Sequence, residues 1–160
     1  MTDEFCAWLS TTAMSKAFQN ADWFVPLVQT VHILGVAVLA TSIAMMSFRL
    51  IASSRGPRET EIRFEWISWS LAALAVLLVS GCLLVITEPG RELTNILFRV
   101  KMLLVVILAG VVVAIRRRLR DDAHYWTSSA HRRLSARVVG IACLLLGTGI
   151  ITAGRWIAYI

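Results

Sequence analysis

A single histidine lies inside a long apolar stretch of this chain, and its side chain offers the most informative chemistry. His32 falls within the run from Trp23 to Phe48, which contains no Asp, Glu, Lys or Arg. Gln29 precedes it by three residues and would share its face of a helix. Imidazole binds haem iron and copper well, and polar groups within apolar spans are often functional. His32 is therefore a candidate ligand, with a proton-relay role or a structural hydrogen bond to another helix as alternatives.

Three basic residues lie near the ends of apolar segments, at an expected depth close to that of His32. Span length places Arg99, Lys101 and Arg155 within a few residues of the membrane boundary, in the same half of the bilayer as His32. If these side chains turn inward, they form a positive cluster that could hold haem propionates, a quinone headgroup or another anionic group. Alternatively, they extend to the lipid headgroups or pair with acidic residues of the adjacent turn.

Sulfur ligands offer a second interpretation of the same region. Cys82 is expected at roughly the height of His32, and Met102 begins the third apolar run, so the three could form a soft copper(I) site. No CxxC or MxxxM spacing accompanies them. A haem held by two histidines of one chain is excluded, because only His32 lies in a span. A bound b-type haem would need another second ligand, five-coordination or a second subunit.

The composition predicts that these residues are carried by membrane-spanning helices. Of the 160 residues, 58% are hydrophobic and the mean hydropathy is +0.72, against about 45–50% apolar residues in soluble domains. A bilayer core is about 30 Å thick and needs ~20 apolar residues per helix. We expect four spans, at residues 23–48, 66–87, 94–115 and 138–158. The third has only 14 uninterrupted apolar residues, so a re-entrant segment is its alternative.

The distribution of basic residues predicts the orientation. The loops after the first and third spans hold eleven of the sixteen Lys and Arg residues, which gives one face a charge of +6 and the other zero. By the positive-inside rule the basic face is cytoplasmic and both termini are periplasmic, in a bacterial inner membrane. The net charge is thus a topology signal that also attracts anionic lipids, and no nucleic-acid partner is expected.

The remaining segments predict how the spans are connected and packed. Residues 4–19 are expected to form an amphipathic helix, with Phe5 and Leu9 on its apolar stripe. Such a helix is typical of a segment that lies on the membrane interface. Pro89 and Gly90 predict a tight turn between the second and third spans. The expected fold is a single all-α domain over residues 1–160: an integral membrane four-helix bundle with a short interfacial helix at its N-terminus.

Three glycines in the fourth span form a stripe with a spacing of seven residues, Gly140, Gly147 and Gly154. Small residues let membrane helices approach closely, so this stripe predicts helix packing within the bundle. It also offers a contact for a second copy of the chain or for a partner in a membrane complex.

Two sequence runs resemble those of a known group of proteins. The most specific parts of this resemblance are two runs. One is Gln29 to Gly35, Gln-Thr-Val-His-Ile-Leu-Gly, and the other is Gly154 to Tyr159, Gly-Arg-Trp-Ile-Ala-Tyr. Together with Trp23 they resemble a family of small bacterial four-span proteins of unknown function, over nearly the whole chain. More loosely, the organisation is similar to the membrane domain of copper resistance protein D and to small b-type cytochromes. That similarity implies haem or copper handling, although the several histidines of the b-type cytochromes are missing.

These observations lead to one expected function and two alternatives. We expect an inner-membrane protein that binds a redox cofactor or metal through His32, with b-type haem first and copper second, for electron transfer or metal handling. The alternatives are a non-catalytic accessory or scaffold subunit of a membrane complex, and a copper permease. The sequence has no HExxH motif, phosphate loop or intramembrane carboxylate, so nothing in it favours a metalloprotease, a nucleotide hydrolase or a proton-driven pump.

Overall fold

The computed structural model describes residues 2–53, 64–87, 89–93, 95–122, 125–126 and 128–157. These residues form seven helices and no strand. Four of the helices are long and apolar enough to cross a membrane, which confirms the predicted all-α, four-span fold. In chain order the helices are α1 (Thr2–Thr11), α2 (Ala13–Gln19), α3 (Phe24–Ser53), α4 (Phe64–Thr87), α5 (Pro89–Leu93), α6 (Ile96–Asp121) and α7 (Ala130–Trp156). Residues 158–160, where the fourth predicted span ends, lie outside the described residues.

The four long helices pack as an antiparallel bundle. Helix α3 lies along both α4 and α7, while α6 packs on α7 and touches α4 only lightly. The tightly packed core occupies one half of the bundle, where Met46, Leu50, Ile67 and Leu108 are fully buried. We call the end of this half the basic end, because the arginines of residues 116–137 lie there. The opposite half is more loosely filled and contains a cavity.

The ends of α6 and α7 depart from the predicted spans. Helix α7 begins at Ala130 rather than at residue 138, because the Ser129 side chain accepts a hydrogen bond from the Arg132 N–H and caps the helix. Helix α6 is continuous through the short apolar run and starts beside Asn95, whose side chain caps it at Leu97. The re-entrant alternative is therefore wrong, because one unbroken helix runs from Ile96 to Asp121 and passes both ends of the short apolar run.

The N-terminal segment and the connection between the second and third spans also differ in detail from the prediction. The single expected helix is two, because Thr12 adopts an extended conformation and its Oγ1 accepts a hydrogen bond from the Ser15 N–H. Pro89 and Gly90 begin the short helix α5 instead of forming a tight turn. Proline is well suited to the first turn of a helix, where its missing N–H has no partner to lose.

Helix α2 is fastened to the last turn of α4. The buried Ser15 hydroxyl donates to the carbonyl oxygen of Ile86 at 2.8 Å, and Gln19 Nε2 donates to the carbonyl oxygen of Thr87 at 2.9 Å. These bonds satisfy carbonyls that a helix terminus leaves without a partner. Helices α1, α2 and α5 thereby pack over the end of the bundle opposite the basic end, which we call the capped end.

The glycine stripe of α7 is used inside the bundle. A Cβ at Gly140 would lie 2.9 Å from the carbonyl oxygen of Ser47 in α3, too close for any side chain. Gly147 faces Ile43, which is also in α3, and Gly154 faces the Lys101 side chain of α6. The stripe therefore brings α7 against α3 at one end and makes room for a lysine at the other.

Candidate functional site

A cavity of about 450 Å³ lies in the half of the bundle nearer the capped end. All four long helices contribute to its walls, and Leu9 of α1 and Leu93 of α5 add to them. The lining is aliphatic and aromatic except at four side chains, which are His32, Cys82, Lys101 and Met102. Largely apolar pockets with a few placed polar groups, of ~300–1,000 Å³, are typical of small-molecule sites.

The His32 imidazole reaches from α3 towards α4 and is held there by a serine. Its Nδ1 lies 2.8 Å from Oγ of the buried Ser80. The Ser80 hydroxyl donates its own hydrogen to the carbonyl oxygen of Val76, at 2.7 Å. In the tautomer that agrees with this bond, the ring proton is on Nδ1 and the Ser80 oxygen accepts it. Nε2 is then the nitrogen whose lone pair is left to a ligand.

Lys101 supplies a positive charge to the same cavity. Its half-buried side chain crosses the surface of α7 at Gly154, where an added Cβ would lie 3.6 Å from both Cε and Nζ. An imidazole nitrogen and an ammonium group therefore lie on the walls of one apolar chamber.

The cavity has an opening on the side of the bundle, between α4 and α6. Leu78 and Met102 both line the cavity and are exposed on the outer surface of the bundle, at 60% and 37% of their areas. Cys82 is also exposed and lies on the same wall. Helices α4 and α6 are only lightly packed against each other, and both are apolar enough to cross a membrane.

Four of the seven side chains that sequence analysis selects meet at this cavity. His32, Lys101, Cys82 and Met102 line it, whereas Gln29, Arg99 and Arg155 do not and are exposed. In the described part of the chain, no group of three or more His, Cys, Asp or Glu side chains could hold a metal.

Two residues that shape the candidate site were not selected by sequence analysis. Ser80 orients the imidazole, and Gly81 leaves the ring uncovered, since its Cβ would lie 3.6 Å from His32 Cε1. A serine within a span was a usable signal, because its hydroxyl must find a hydrogen-bond partner there. The register that places Ser80 opposite His32 depends on packing between α3 and α4, which the sequence pattern does not specify.

Comparison with known proteins gives one result at the level of the family. No curated protein and no solved structure matches the chain. A family model does match, over residues 6–160, which is nearly the whole chain. The matched region includes the four long helices and every residue that lines the cavity. The chain belongs to DUF6644, a family of unknown function.

Proposed function

We propose that this protein binds a lipophilic redox cofactor, with b-type haem as the leading candidate, through His32 and serves electron transfer in the bacterial inner membrane. The observation that carries this is the hydrogen bond from His32 Nδ1 to Ser80 Oγ. Histidines that ligate metals almost always donate the other ring N–H to a fixed partner, which sets the tautomer and the ring orientation. His32 has this arrangement within a cavity of ligand size.

The donor set fits haem in three respects. The apolar walls match the flat hydrophobic body of the macrocycle, and Nε2 of His32 is the ligand for iron. The Lys101 ammonium provides a partner for a propionate, since charged pairs are strongest where water is excluded. Met102 lines the same cavity and offers a thioether as a second ligand. Iron bound there would supply one-electron chemistry, while the protein sets its access and surroundings.

The shape of the site supports a ligand that arrives through the membrane. Helices of the capped end pack over the bundle, whereas the gap between α4 and α6 opens sideways. A molecule dissolved in the hydrocarbon could enter by this gap without crossing the water-facing end. We infer the same orientation as the charge pattern indicates, with the capped end periplasmic and the basic end cytoplasmic.

The test is a reduced minus oxidised visible spectrum of the protein purified in detergent, with iron and copper analysed on the same sample. We expect a Soret band and a sharp α-band with near-stoichiometric iron. His32→Ala should abolish both bands while leaving the helical circular dichroism unchanged. His131→Ala is the matched control, because His131 is exposed at the basic end. Equal haem content in His32→Ala and the wild-type protein would overturn the assignment of His32.

Copper is the second candidate, favoured by one specific observation. Cys82 and Met102 line the same cavity as His32, and thiolate, thioether and imidazole together suit copper(I). A colourless protein that carries one copper, lost in both His32→Ala and Cys82→Ser, would support this assignment in place of haem. A wild-type protein without haem or copper would contradict both, and would favour the accessory or scaffold role.

A further inference from the structure

Two arginines converge on one tyrosine ring at the basic end, far from the cavity. The guanidinium carbon of Arg132 lies 4.5 Å from the centroid of Tyr125, and that of Arg118 lies 5.3 Å from it. We propose that Arg118 and Arg132, held together by Tyr125, bind the phosphate group of an anionic membrane lipid.

The tyrosine ring explains why two like charges both lie beside it. The negative face of an aromatic ring attracts a guanidinium group, and this attraction is stronger away from bulk water. The two arginines come from different helices, α6 and α7, so Tyr125 joins the end of one span to the start of the next. The result is two planar donors that share one ring, and guanidinium groups bind phosphate oxygens through paired hydrogen bonds.

The charge of this pair is only partly balanced by the protein. Asp122 lies 4.0 Å from Arg132, at the limit of an ion pair, and both side chains are more than 40% exposed. Arg132 also donates to the Ser128 hydroxyl at 2.9 Å. In the described residues no carboxylate lies within ion-pair distance of Arg118. An external anion is therefore the natural partner for the second guanidinium.

The two arginines lie at the depth expected for lipid phosphates, and the turn that carries Tyr125 is held in place by the core. Trp126 is buried in the core cluster, so the turn that carries Tyr125 is anchored to the bundle. Arg118 is in the last turns of α6 and Arg132 in the first turn of α7, just beyond the apolar part of each span. Lipid phosphates lie at this level of a bilayer, and basic pockets at the ends of spans recognise anionic headgroups.

A lipid-binding assay on the purified full-length protein tests this assignment. The melting temperature in detergent is measured with added phosphatidylglycerol, phosphatidylcholine or inorganic phosphate, since a ligand of the folded state raises it. We expect saturable stabilisation by phosphatidylglycerol and little by phosphatidylcholine. Arg118→Gln should raise the apparent dissociation constant about tenfold, as expected for one lost charged contact. Tyr125→Leu should weaken binding in the same way, and Tyr125→Phe should retain it.

Arg117→Gln is the matched control, because it removes the same charge from an exposed neighbouring position of α6. Arg132→Gln serves as a second variant, although Arg132 also contacts Ser128 and Asp122. If Arg117→Gln weakens binding as much as Arg118→Gln, the attraction is diffuse and the assigned pair is wrong. Equal stabilisation by inorganic phosphate would identify a free anion as the ligand and overturn the lipid assignment.

Discussion

His32 Nδ1 and Ser80 Oγ lie 2.8 Å apart, and their hydrogen bond joins α3 to α4 on the wall of the cavity. The serine hydroxyl donates in turn to the carbonyl oxygen of Val76, so the two hydrogen bonds run in one direction, from the ring through the serine to the backbone. Because the imidazole is already fixed in this way, it can bind a ligand through Nε2 without a further loss of rotational freedom. Lys101 lies on the wall of the same cavity and would meet the anionic part of such a ligand.

Removing the serine hydroxyl should weaken cofactor binding without removing the ligand itself. Ser80→Ala leaves the His32 N–H without its acceptor, and loss of such an outer partner costs about 10–100-fold in metal affinity. We expect a loss of about tenfold in affinity for hemin, measured by titration of the Soret band. Ser70→Ala is the control, since Ser70 is buried in α4 and donates only to the carbonyl oxygen of Trp66. Equal affinities in the two variants would show that Ser80 does not position the imidazole.

Narrowing the gap between α4 and α6 should slow uptake from the membrane more than it lowers affinity. Leu78 lines the cavity and is exposed at the opening, so Leu78→Trp places a bulky ring there. The neighbouring Val79 is equally exposed but does not line the cavity, which makes Val79→Trp the matched control. We expect the rate of hemin transfer from loaded vesicles to fall several-fold in Leu78→Trp alone. Equal rates in both variants would contradict uptake through this side of the bundle.

Helix α2 should loosen from α4 when its two side-chain links are removed. Ser15→Ala and Gln19→Ala each delete a hydrogen bond to the last turn of α4, worth about 0.5–1.5 kcal/mol. We expect faster amide hydrogen exchange in residues 13–19, by about tenfold for the double variant. Ser10→Ala is the control, because the exposed Ser10 hydroxyl donates only within α1, to Ala7. Unchanged exchange in the double variant would mean that apolar contacts alone hold α2 in place.

The sequence was sufficient to predict the class of fold, and it singled out His32, which lines the candidate site. Long apolar runs dictate spanning helices, because every backbone polar group must be satisfied within the bilayer. The same reasoning singles out His32 as a polar group in an apolar span. Helix ends were less accurate, since α7 begins at the Ser129 cap instead of at residue 138 and α6 continues to Asp121 instead of ending at residue 115.

The sequence alone could not show which side chains line the cavity. Arg99 and Lys101 are two residues apart and both positively charged, yet only Lys101 lines the cavity and Arg99 is exposed. On a helix, residues two apart point in different directions, so one basic side chain turns inward and the other outward. Which of them turns inward depends on how α6 rotates against α7. That rotation is set by three-dimensional packing, including the space that Gly154 leaves for the lysine.

The closest approach of α3 and α7 should make Gly140 the least replaceable glycine of the stripe. A Cβ at this position would lie 2.9 Å from the Ser47 carbonyl oxygen, which belongs to the backbone and cannot rotate away. Gly140→Ala must therefore push the helices apart, and overpacking of this kind typically costs about 1–3 kcal/mol. Gly110 of α6 has nothing within 4 Å of the added Cβ, so Gly110→Ala should be neutral or stabilising by up to ~1 kcal/mol. Thermal unfolding of both variants in detergent, followed by circular dichroism, compares the two positions directly. A Gly140→Ala protein that melts at or above the Gly110→Ala temperature would show that this contact does not hold the bundle together.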